Sequence, residues 1–244
     1  MKTTAKILFA VTVLITFLLL SCKKENSNTG GKQKVSVYLT DNPVTFEQVN
    51  IDIQKVELKI EVKDSTGTEH ESWETLSIRP GVYNILNFRN GIDTLFASGF
   101  VSQGEIKKVR LTLGTSNSVV VNGATVPLAL KDAVITINVD DISELNAANM
   151  KINLDFDAAG SIILNNNGQF ELLPHIRTFS DEHDGRIEGR ILPKEAAAIV
   201  TMKSASQTLL AIPGNEGEFK IRGIKAGTVD LFIDATANGY RDTT

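Results

Sequence analysis

The chain of 244 residues has little of several residue types that catalytic and metal sites commonly use. It contains one cysteine, one tryptophan and three histidines. A single cysteine cannot form an intramolecular disulfide, so the fold must depend on apolar cores. The chain also lacks the Gly-x-Ser-x-Gly nucleophile motif, the phosphate-binding Gly-x-x-x-x-Gly-Lys loop, the His-Glu-x-x-His zinc motif and a cysteine pair. These absences argue against the common hydrolase, nucleotide-binding and zinc-dependent classes.

The three histidines, His70, His175 and His183, lie far apart in the sequence. A general base or a metal ligand needs a positioned partner, and no partner follows from these spacings. We therefore interpret the histidines as surface or linker residues. An enzyme of unrecognised type stays only the third hypothesis for the function.

Long apolar runs are absent after residue 20, and the one such run lies at the N-terminus. Lys2 and Lys6 precede an apolar and small-residue stretch over residues 7–20, and a serine and Cys22 follow it. A basic region, an apolar region and a small residue in this order are typical of an export signal. A helix of this length reaches about 21 Å, which is short of the roughly 30 Å of a bilayer core. We therefore predict that residues 1–21 are a cleaved signal peptide.

Residues 19–22, Leu-Leu-Ser-Cys, resemble the lipobox of bacterial lipoproteins. In that motif an apolar, a variable and a small residue precede a cysteine that receives lipid and becomes the mature N-terminus. The resemblance implies that Cys22 carries diacylglycerol and an acyl chain such as palmitate, which together hold a protein stably on a membrane. The alternative is a plain secretory signal that ends near a free thiol.

Residues 22–33 have no large apolar residue after the cysteine and include a glycine pair. They can bury nothing against a core, so we predict a flexible tether. Lys23, next to the cysteine, does not resemble the aspartate that retains lipoproteins at the inner membrane of enteric bacteria. We therefore expect the cell envelope of a Gram-negative bacterium, with attachment to the outer membrane, and leave open whether the chain lies on the cell surface or on the periplasmic face.

Basic residues are fewer than acidic ones. The full chain has 25 basic and 29 acidic residues. Removal of residues 1–21 takes away Lys2 and Lys6 and no acidic residue, which leaves 23 basic and 29 acidic residues and a formal charge of −6. Such a surface repels a phosphate backbone, so nucleic acid is not an expected partner.

Long amphipathic helical patterns are absent, and most of the chain after the tether alternates between apolar and polar residues. The clearest alternation spans residues 34–40 and 49–62, and shorter runs follow. Turn sequences such as Asn122-Gly123 separate the runs. Only residues 91–98 and 141–148 look locally helical. The pattern predicts an all-β fold of antiparallel sheets, a sandwich or a barrel.

Several motifs follow one another over residues 34–178: Val37-Tyr-Leu-Thr-Asp-Asn-Pro43, Val49-x-Ile-x-Ile-x-x-Val-Glu57, Trp73, Val101-x-x-Gly104-x-Ile-x-x-Val-Arg-Leu111, Leu154-Asp-Phe-Asp-Ala158-x-x-Ser161 and Leu173-Pro-x-Ile176. In order and spacing they resemble domain of unknown function 4382, a family of exported bacterial and archaeal proteins without an established activity. The family usually has Asp-Ala-Pro where this chain has Asp41-Asn-Pro43, which keeps the same turn chemistry.

A second set of motifs lies over residues 185–244: Gly185-Arg-Ile-Glu-Gly-Arg-Ile191, Gly217-Glu-Phe-Lys-Ile221, Gly223-Ile-Lys-Ala-Gly227 and Gly239-Tyr240. They resemble the carboxypeptidase regulatory-like, prealbumin-type β-sandwich, a non-catalytic accessory module with a carbohydrate-binding-like fold. The resemblance implies two antiparallel β-sandwich domains, with residues 179–184 as the linker. Relatives usually continue through one more strand, so we expect either a fragment or an open edge strand.

Three acidic runs offer oxygen ligands for Ca²⁺: Asp140-Asp141, Asp155-x-Asp157 and Asp181-Glu182-x-Asp184. None has the spacing of a recognised calcium loop, and solvated charge or turn capping is the alternative for each. Asp155 and Asp157 alternate with two apolar residues, so both carboxylates share one face of a strand. Like charges at this spacing favour a shared cation or a basic partner. These two aspartates are our candidate Ca²⁺ ligands, and we expect no other cofactor.

Aromatic residues, which stack on sugar rings in glycan-binding sites, are few. The candidates are Trp73, Tyr38, Tyr83 and Tyr240. Glycan-binding faces usually have more, so we favour a core or half-buried position for Trp73.

The anchor, the tether and the fold together favour a membrane-anchored, non-catalytic envelope lipoprotein that acts in binding or adhesion, toward polysaccharide or a partner protein. The alternative is a structural assembly subunit whose open edge strand accepts a strand from a neighbour. The residues that contact a ligand do not follow from the sequence.

Overall fold

The computed structural model of the protein describes residues 31–42, 46–139 and 149–244. The predicted signal peptide, Cys22 and the tether up to residue 30 lie outside these ranges. The predicted helix over residues 141–148 and the acidic pair Asp140-Asp141 also lie outside them.

Strands dominate the part of the chain that the structure describes. Their bounds are β1 (Lys32–Asn42), β2 (Gln48–Lys63), β3 (Glu69–Thr75), β4 (Ser77–Ile78), β5 (Gly81–Asn84), β6 (Thr94–Ser102), β7 (Glu105–Leu113), β8 (Ser118–Val121), β9 (Ala124–Pro127), β10 (Ala129–Leu130), β11 (Val134–Asn138), β12 (Asn149–Asp157), β13 (Ile162–Leu164), β14 (Phe170–Leu172), β15 (Ile176–Phe179), β16 (Gly185–Arg190), β17 (Ile199–Lys203), β18 (Thr208–Ala211), β19 (Glu218–Ile224) and β20 (Asp230–Asp234). The described helices are short: an α-helical turn at Ala158–Ser161 and 3₁₀ turns at Ile85–Phe88, Lys194–Ala196 and Thr236–Asn238.

Strands β1–β15 form the N-terminal sandwich, in which two large sheets share one apolar core. The first sheet has the order β15-β12-β1-β6-β4, and the second has the order β11-β7-β2-β8-β9, with β3 and β5 also paired to β2. A small third sheet has the order β10-β14-β13. The buried side chains of these strands belong to a single cluster.

The alternating pattern explains which side chains enter this core. On β1 the fully buried residues are Val35, Val37 and Leu39. On β2 the pairing register with β7 shifts between Ile53 and Lys55, so the buried series changes there from Val49-Ile51-Ile53 to Val56-Leu58-Ile60. Each such side chain stabilises the fold by about 1.5–3 kcal/mol relative to an exposed one.

The first sheet contains a parallel pair that the local pattern does not indicate. Strand β12 runs parallel to β1, from Lys34 opposite Asn149 to Asn42 opposite Asp157. Residues 152–156 of β12 are all buried, because one face of this sheet packs on the core and the other meets the C-terminal strands. Parallel strands are usually covered on both faces in this way.

The prediction of helical structure over residues 91–98 is wrong, because β6 begins at Thr94. The register between β1 and β6 shifts at this point: Val37 pairs with Ala97, and the next residue of β1 pairs with Leu95. Phe96 is therefore an extra residue in a β-bulge, and it is buried beside Ala97. Two adjacent buried residues interrupt the period of two, so the segment does not look like a strand in the sequence.

Strands β16–β20 form the C-terminal sandwich, from one sheet of β16 and β19 and another with the order β18-β17-β20. Its core includes Val200, Met202, Phe219 and Ile221. Beyond β20, Thr243 pairs with Ile233 through backbone hydrogen bonds of 2.8 and 3.0 Å.

Residues Lys32–Thr244 form one compact unit. The structure confirms the predicted all-β class and its largely antiparallel sheets. Within the described ranges, no helix has the length and apolar character needed to cross a membrane.

Candidate functional site

Two buried acidic groups with raised pKa values, Asp41 and Asp155, lie where β1 and β12 end side by side. The parallel register places Thr40 next to Asp155 and the following residues next to Phe156 and Asp157. Strand β15 pairs with β12 and adds Arg177 opposite Asp155. We use the name strand-end cluster for Asp41, Asp155, Asp157, His175 and Arg177.

Asp41 continues the buried face of β1 beyond Leu39, and only 6% of its surface is exposed. Its Oδ1 accepts a hydrogen bond of 3.4 Å from the Ala158 backbone N–H, and its Oδ2 has no hydrogen-bond partner among the described residues. Burial, followed by the negative charges of Asp155 and Asp157, raises the pKa of Asp41 to about 9. The carboxyl group is therefore neutral at pH 7.

Asp155 is buried but has a basic partner. The Arg177 Nε donates to its Oδ2 at 2.7 Å. Burial raises the pKa of Asp155, and the charge of Arg177 opposes that shift. The sequence predicts a cation or a basic partner near Asp155 and Asp157. In the structure, the basic partner of Asp155 is Arg177.

Asp157 holds the start of the short helix Ala158–Ser161. Its Oδ1 accepts a hydrogen bond of 3.0 Å from the Gly160 N–H, the usual role of an N-cap carboxylate. Its own backbone N–H donates to the His175 carbonyl oxygen at 2.9 Å, which joins the end of β12 to the start of β15.

The structure thus places both candidate Ca²⁺ ligands at one strand end, each with a hydrogen-bond donor. In the described ranges, no group of three or more histidine, cysteine or acidic side chains is arranged to hold a metal ion. The calcium site stays untested, and the alternative of turn capping describes Asp157. In the third acidic run, Asp181 pairs with Arg222 and Lys151, and Asp184 accepts from the Ser180 N–H at 2.9 Å.

A surface depression of about 380 Å³ adjoins the cluster and is lined by Asp157, Pro174, His175, Ile176 and Arg177. This volume lies at the lower end of the range for small-ligand sites. Its lining combines a carboxylate, an imidazole and a guanidinium with two apolar side chains. His175 is exposed, and no hydrogen bond from its ring to a described residue is present. The depression therefore offers both polar and apolar contacts to a ligand.

The other candidate residues lie elsewhere. His70 contacts Asp64 at 3.1 Å in the turn between β2 and β3, where hydrogen bonds from Thr66, His70 and Thr68 lower the pKa of Asp64. His183 is exposed in the segment between β15 and β16. The three histidines thus lie in three different segments of the chain.

Three of the four candidate aromatic rings already have partners. The Arg110 guanidinium lies 3.9 Å from the centre of the Trp73 ring, the Lys151 ammonium lies 4.2 Å from that of Tyr38, and Tyr83 packs edge-on against Phe96. Tyr240 is 42% exposed. The prediction that Trp73 is a half-buried strand residue agrees with its position in β3.

Sequence reasoning missed two residues of the strand-end cluster. The Asp-Asn-Pro motif indicates only a turn at Asp41, but Asp41 follows Val35, Val37 and Leu39 at the same spacing, a pattern that predicts a buried carboxyl. Arg177 was not singled out, because its partner Asp155 is 22 residues away in the chain and the pair forms only across two strands.

Comparison with known proteins gives one result. Residues 32–174 match the family model described as Domain of unknown function (DUF4382). No curated protein and no solved structure matches the chain. The matched range is more than half of the 244 residues and contains β1, β12 and most of the strand-end cluster. The chain therefore belongs to the family of domain of unknown function 4382.

Proposed function

We propose that the protein is a non-catalytic lipoprotein of the cell envelope, held on the outer membrane through Cys22, that binds a polysaccharide or a partner protein. Its domains would be the signal peptide 1–21, the lipidated tether 22–33, the family domain 34–178, a connecting segment 179–184 and a carboxypeptidase regulatory-like sandwich over 185–244. The lipobox resemblance supports the anchor, and the glycine-flanked strands of the second sandwich support the last assignment.

The observation that carries the binding role is the depression beside His175. A lining of polar and apolar side chains suits a sugar ring, because the hydroxyl groups can form hydrogen bonds while the C–H face packs on Pro174 and Ile176. The chemistry of the cluster favours binding over catalysis, since Asp155 is already paired with Arg177 and Asp157 already caps a helix.

The large face of the second sheet is less suitable for a charged ligand. Its charges pair with one another: Glu57 contacts both Lys55 at 2.8 Å and Arg110 at 2.9 Å, and Lys107 contacts Glu105 at 2.6 Å. A face that satisfies its own charges gains little from an ionic partner. The strand-end depression is therefore the better candidate for ligand contact.

The test is binding of soluble residues 32–244 to an array of envelope, dietary and host polysaccharides, with calcium and again with a chelator. We expect saturable binding that His175→Ala weakens at least tenfold. His70→Ala is the matched control, because His70 is also exposed but lies on a different hairpin. If both variants bind as strongly as the wild type, the binding site lies outside the depression. If no polysaccharide on the array binds, the proposed ligand is a partner protein.

A structural assembly subunit stays the second candidate because of one observation. Among the described strands, β16 pairs with β19 alone, so its other edge presents backbone groups that a strand from a neighbour can bind. Sedimentation velocity of the lipid-free protein over a wide concentration range tests this. A concentration-dependent oligomer supports assembly, and a monomer at all concentrations removes it.

A further inference from the structure

The C-terminal sandwich contacts the N-terminal sandwich through a buried arginine. Arg222 of β19 is only 10% exposed in its side chain. Its Nη2 donates to both carboxylate oxygens of Asp181 at 2.6 and 2.7 Å, and its Nη1 donates to Asp93 at 3.0 Å. The same guanidinium lies 3.4 Å from the Asn153 Oδ1 on β12. One side chain thus joins β19 to two strand ends of the other sandwich.

A second arginine, on the N-terminal sandwich, donates hydrogen bonds to the C-terminal sandwich. Arg177 of β15 donates to the carbonyl oxygens of Arg222 and Gly223 at 2.9 and 2.8 Å while its Nε binds Asp155. These bonds cover backbone carbonyls at the edge of β19. Phe179 contacts both arginines, and each guanidinium carbon is 5.2 Å from its ring centre. We call Arg177, Arg222 and Phe179 the arginine clamp.

Around the clamp, opposite charges are balanced. Lys151 contacts Asp93 at 3.3 Å and Asp181 at 3.0 Å, so two lysine or arginine side chains contact each of these aspartates. Burial alone would raise the pKa of Asp181, but hydrogen bonds from Arg222 and Lys151 outweigh it and lower the pKa to about 2. Asp181 is therefore ionised at neutral pH and pairs with Arg222 as a charged group.

A turn of the N-terminal sandwich adds a third contact. Asn90 and Gly91 both have positive φ, 59° and 73°, as a tight two-residue turn requires. The Asn90 side-chain amide donates to the Ile212 carbonyl oxygen at 2.7 Å, and a Cβ at Gly91 would lie 2.5 Å from the Lys220 Cδ. The cavity left at this junction measures about 30 Å³, room for one or two water molecules.

The segment that connects the sandwiches is also held in place. Phe179 and Ser180 are buried, with 1% and 2% exposure. The Asp184 N–H donates to the Ser180 carbonyl oxygen, and the Ser180 N–H donates to the Asp184 carboxylate, each at 2.9 Å. Residues predicted to be a linker therefore form a closed turn between two packed elements.

From this geometry we infer that the two sandwiches unfold as one cooperative unit, and that Arg222 is the positioning residue that holds the C-terminal sandwich on the outer face of the first sheet. A sandwich of some 60 residues without a disulfide has a small core and depends on added contacts. Removal of Arg222 takes away the ion pairs that join β19 to Asp93 and Asp181, whose side chains are 23% and 35% exposed, so the docked state loses its most enclosed polar contact.

The test compares two probes of thermal unfolding in the lipid-free protein of residues 32–244. Fluorescence of Trp73, the one tryptophan of the chain, reports the N-terminal sandwich, whereas far-UV circular dichroism reports both. We expect coincident transitions in the wild type. In Arg222→Met the circular dichroism should gain an earlier phase, its midpoint roughly 5 °C or more below that of the Trp73 transition.

The matched control is Arg186→Met. Arg186 lies opposite Arg222 on the same sheet, but its side chain is 66% exposed and contacts Glu188, so its loss should leave the two transitions coincident. Separate transitions in the wild type, or coincident and unshifted transitions in Arg222→Met, would overturn the inference.

Hydrogen exchange of the wild type gives a second test that needs no variant. The amides of β17 and β19 should exchange with the same opening free energy as those of β1 and β12, because all four require the same global unfolding. Faster exchange confined to β17 and β19 would overturn the inference.

Discussion

Replacement of Asp41 by asparagine should stabilise the protein at neutral pH. The folded chain keeps a proton on Asp41 because burial and the charges of Asp155 and Asp157 raise its pKa from the ordinary value of 3.8 to about 9. The unfolded chain releases that proton above pH 3.8. Stability from this group is therefore complete below pH 3.8 and declines as the pH rises toward 9.

The size of the effect follows from the interval between the two pKa values. Each pH unit in that interval costs about 1.4 kcal/mol, so at pH 7, roughly three units above the ordinary pKa of 3.8, Asp41 costs the fold about 4 kcal/mol. Asparagine carries no charge in either state, and its Oδ1 still accepts from the Ala158 N–H. Its amide has two N–H donors where the protonated carboxyl has one O–H, so one additional unpartnered donor offsets part of the gain, by an amount that does not depend on pH.

Urea unfolding at pH 5, 7 and 9, followed by Trp73 fluorescence, measures the effect. The stability of Asp41→Asn relative to the wild type should grow by roughly 2.7 kcal/mol between pH 5 and pH 7. Asp230→Asn, at an exposed position, serves as the control and should change stability little at any pH. A difference between Asp41→Asn and the wild type that does not vary with pH would refute the reasoning, and so would a variant that is less stable at pH 7.

Three further predictions concern the same fold. Calcium should leave the melting temperature unchanged in scanning fluorimetry, because Asp155 already binds Arg177 and Asp157 already accepts a hydrogen bond from the helix N–H. A rise in the melting temperature that Asp157→Asn abolishes would instead support binding of calcium by Asp157. Asp157→Ala removes the helix cap and should lower the free energy of unfolding by about 1 kcal/mol, while Asp157→Ser should retain most of it in the same urea titration. Gly104→Ala would place a Cβ 2.3 Å from the Glu61 carbonyl oxygen, so we expect a loss of about 1–3 kcal/mol; an unchanged melting curve would show that the connection between β6 and β7 adapts.

Local alternation was sufficient to predict most strands but not how they pair. The long runs at β2 and β12 alternate clearly, and the structure has strands there. The parallel pairing of β1 with β12 joins segments more than 100 residues apart, and nothing in either segment specifies the partner. The bulge at Phe96 shows the other limit, since one extra residue removes the period on which the prediction depends.

The candidate site was predictable in part for the same reason. The period of two placed Asp155 and Asp157 on a strand and indicated that a cation or a basic partner should lie nearby. It did not identify Arg177, because that contact depends on the pairing of β12 with β15. The sequence did not predict the arginine clamp, since Arg222 contacts Asp93 and Asp181 only when the two sandwiches pack together.

The claim on which the proposed location depends is lipidation of Cys22, and mass spectrometry of the mature N-terminal peptide tests it most directly. Full-length protein, expressed in a Gram-negative host and recovered from the detergent phase, should begin at Cys22 and carry the added mass of diacylglycerol and an acyl chain. Cys22→Ser should leave the protein unprocessed and without that mass. A mature chain that begins at another residue, or a Cys22 with a free thiol, would contradict the account.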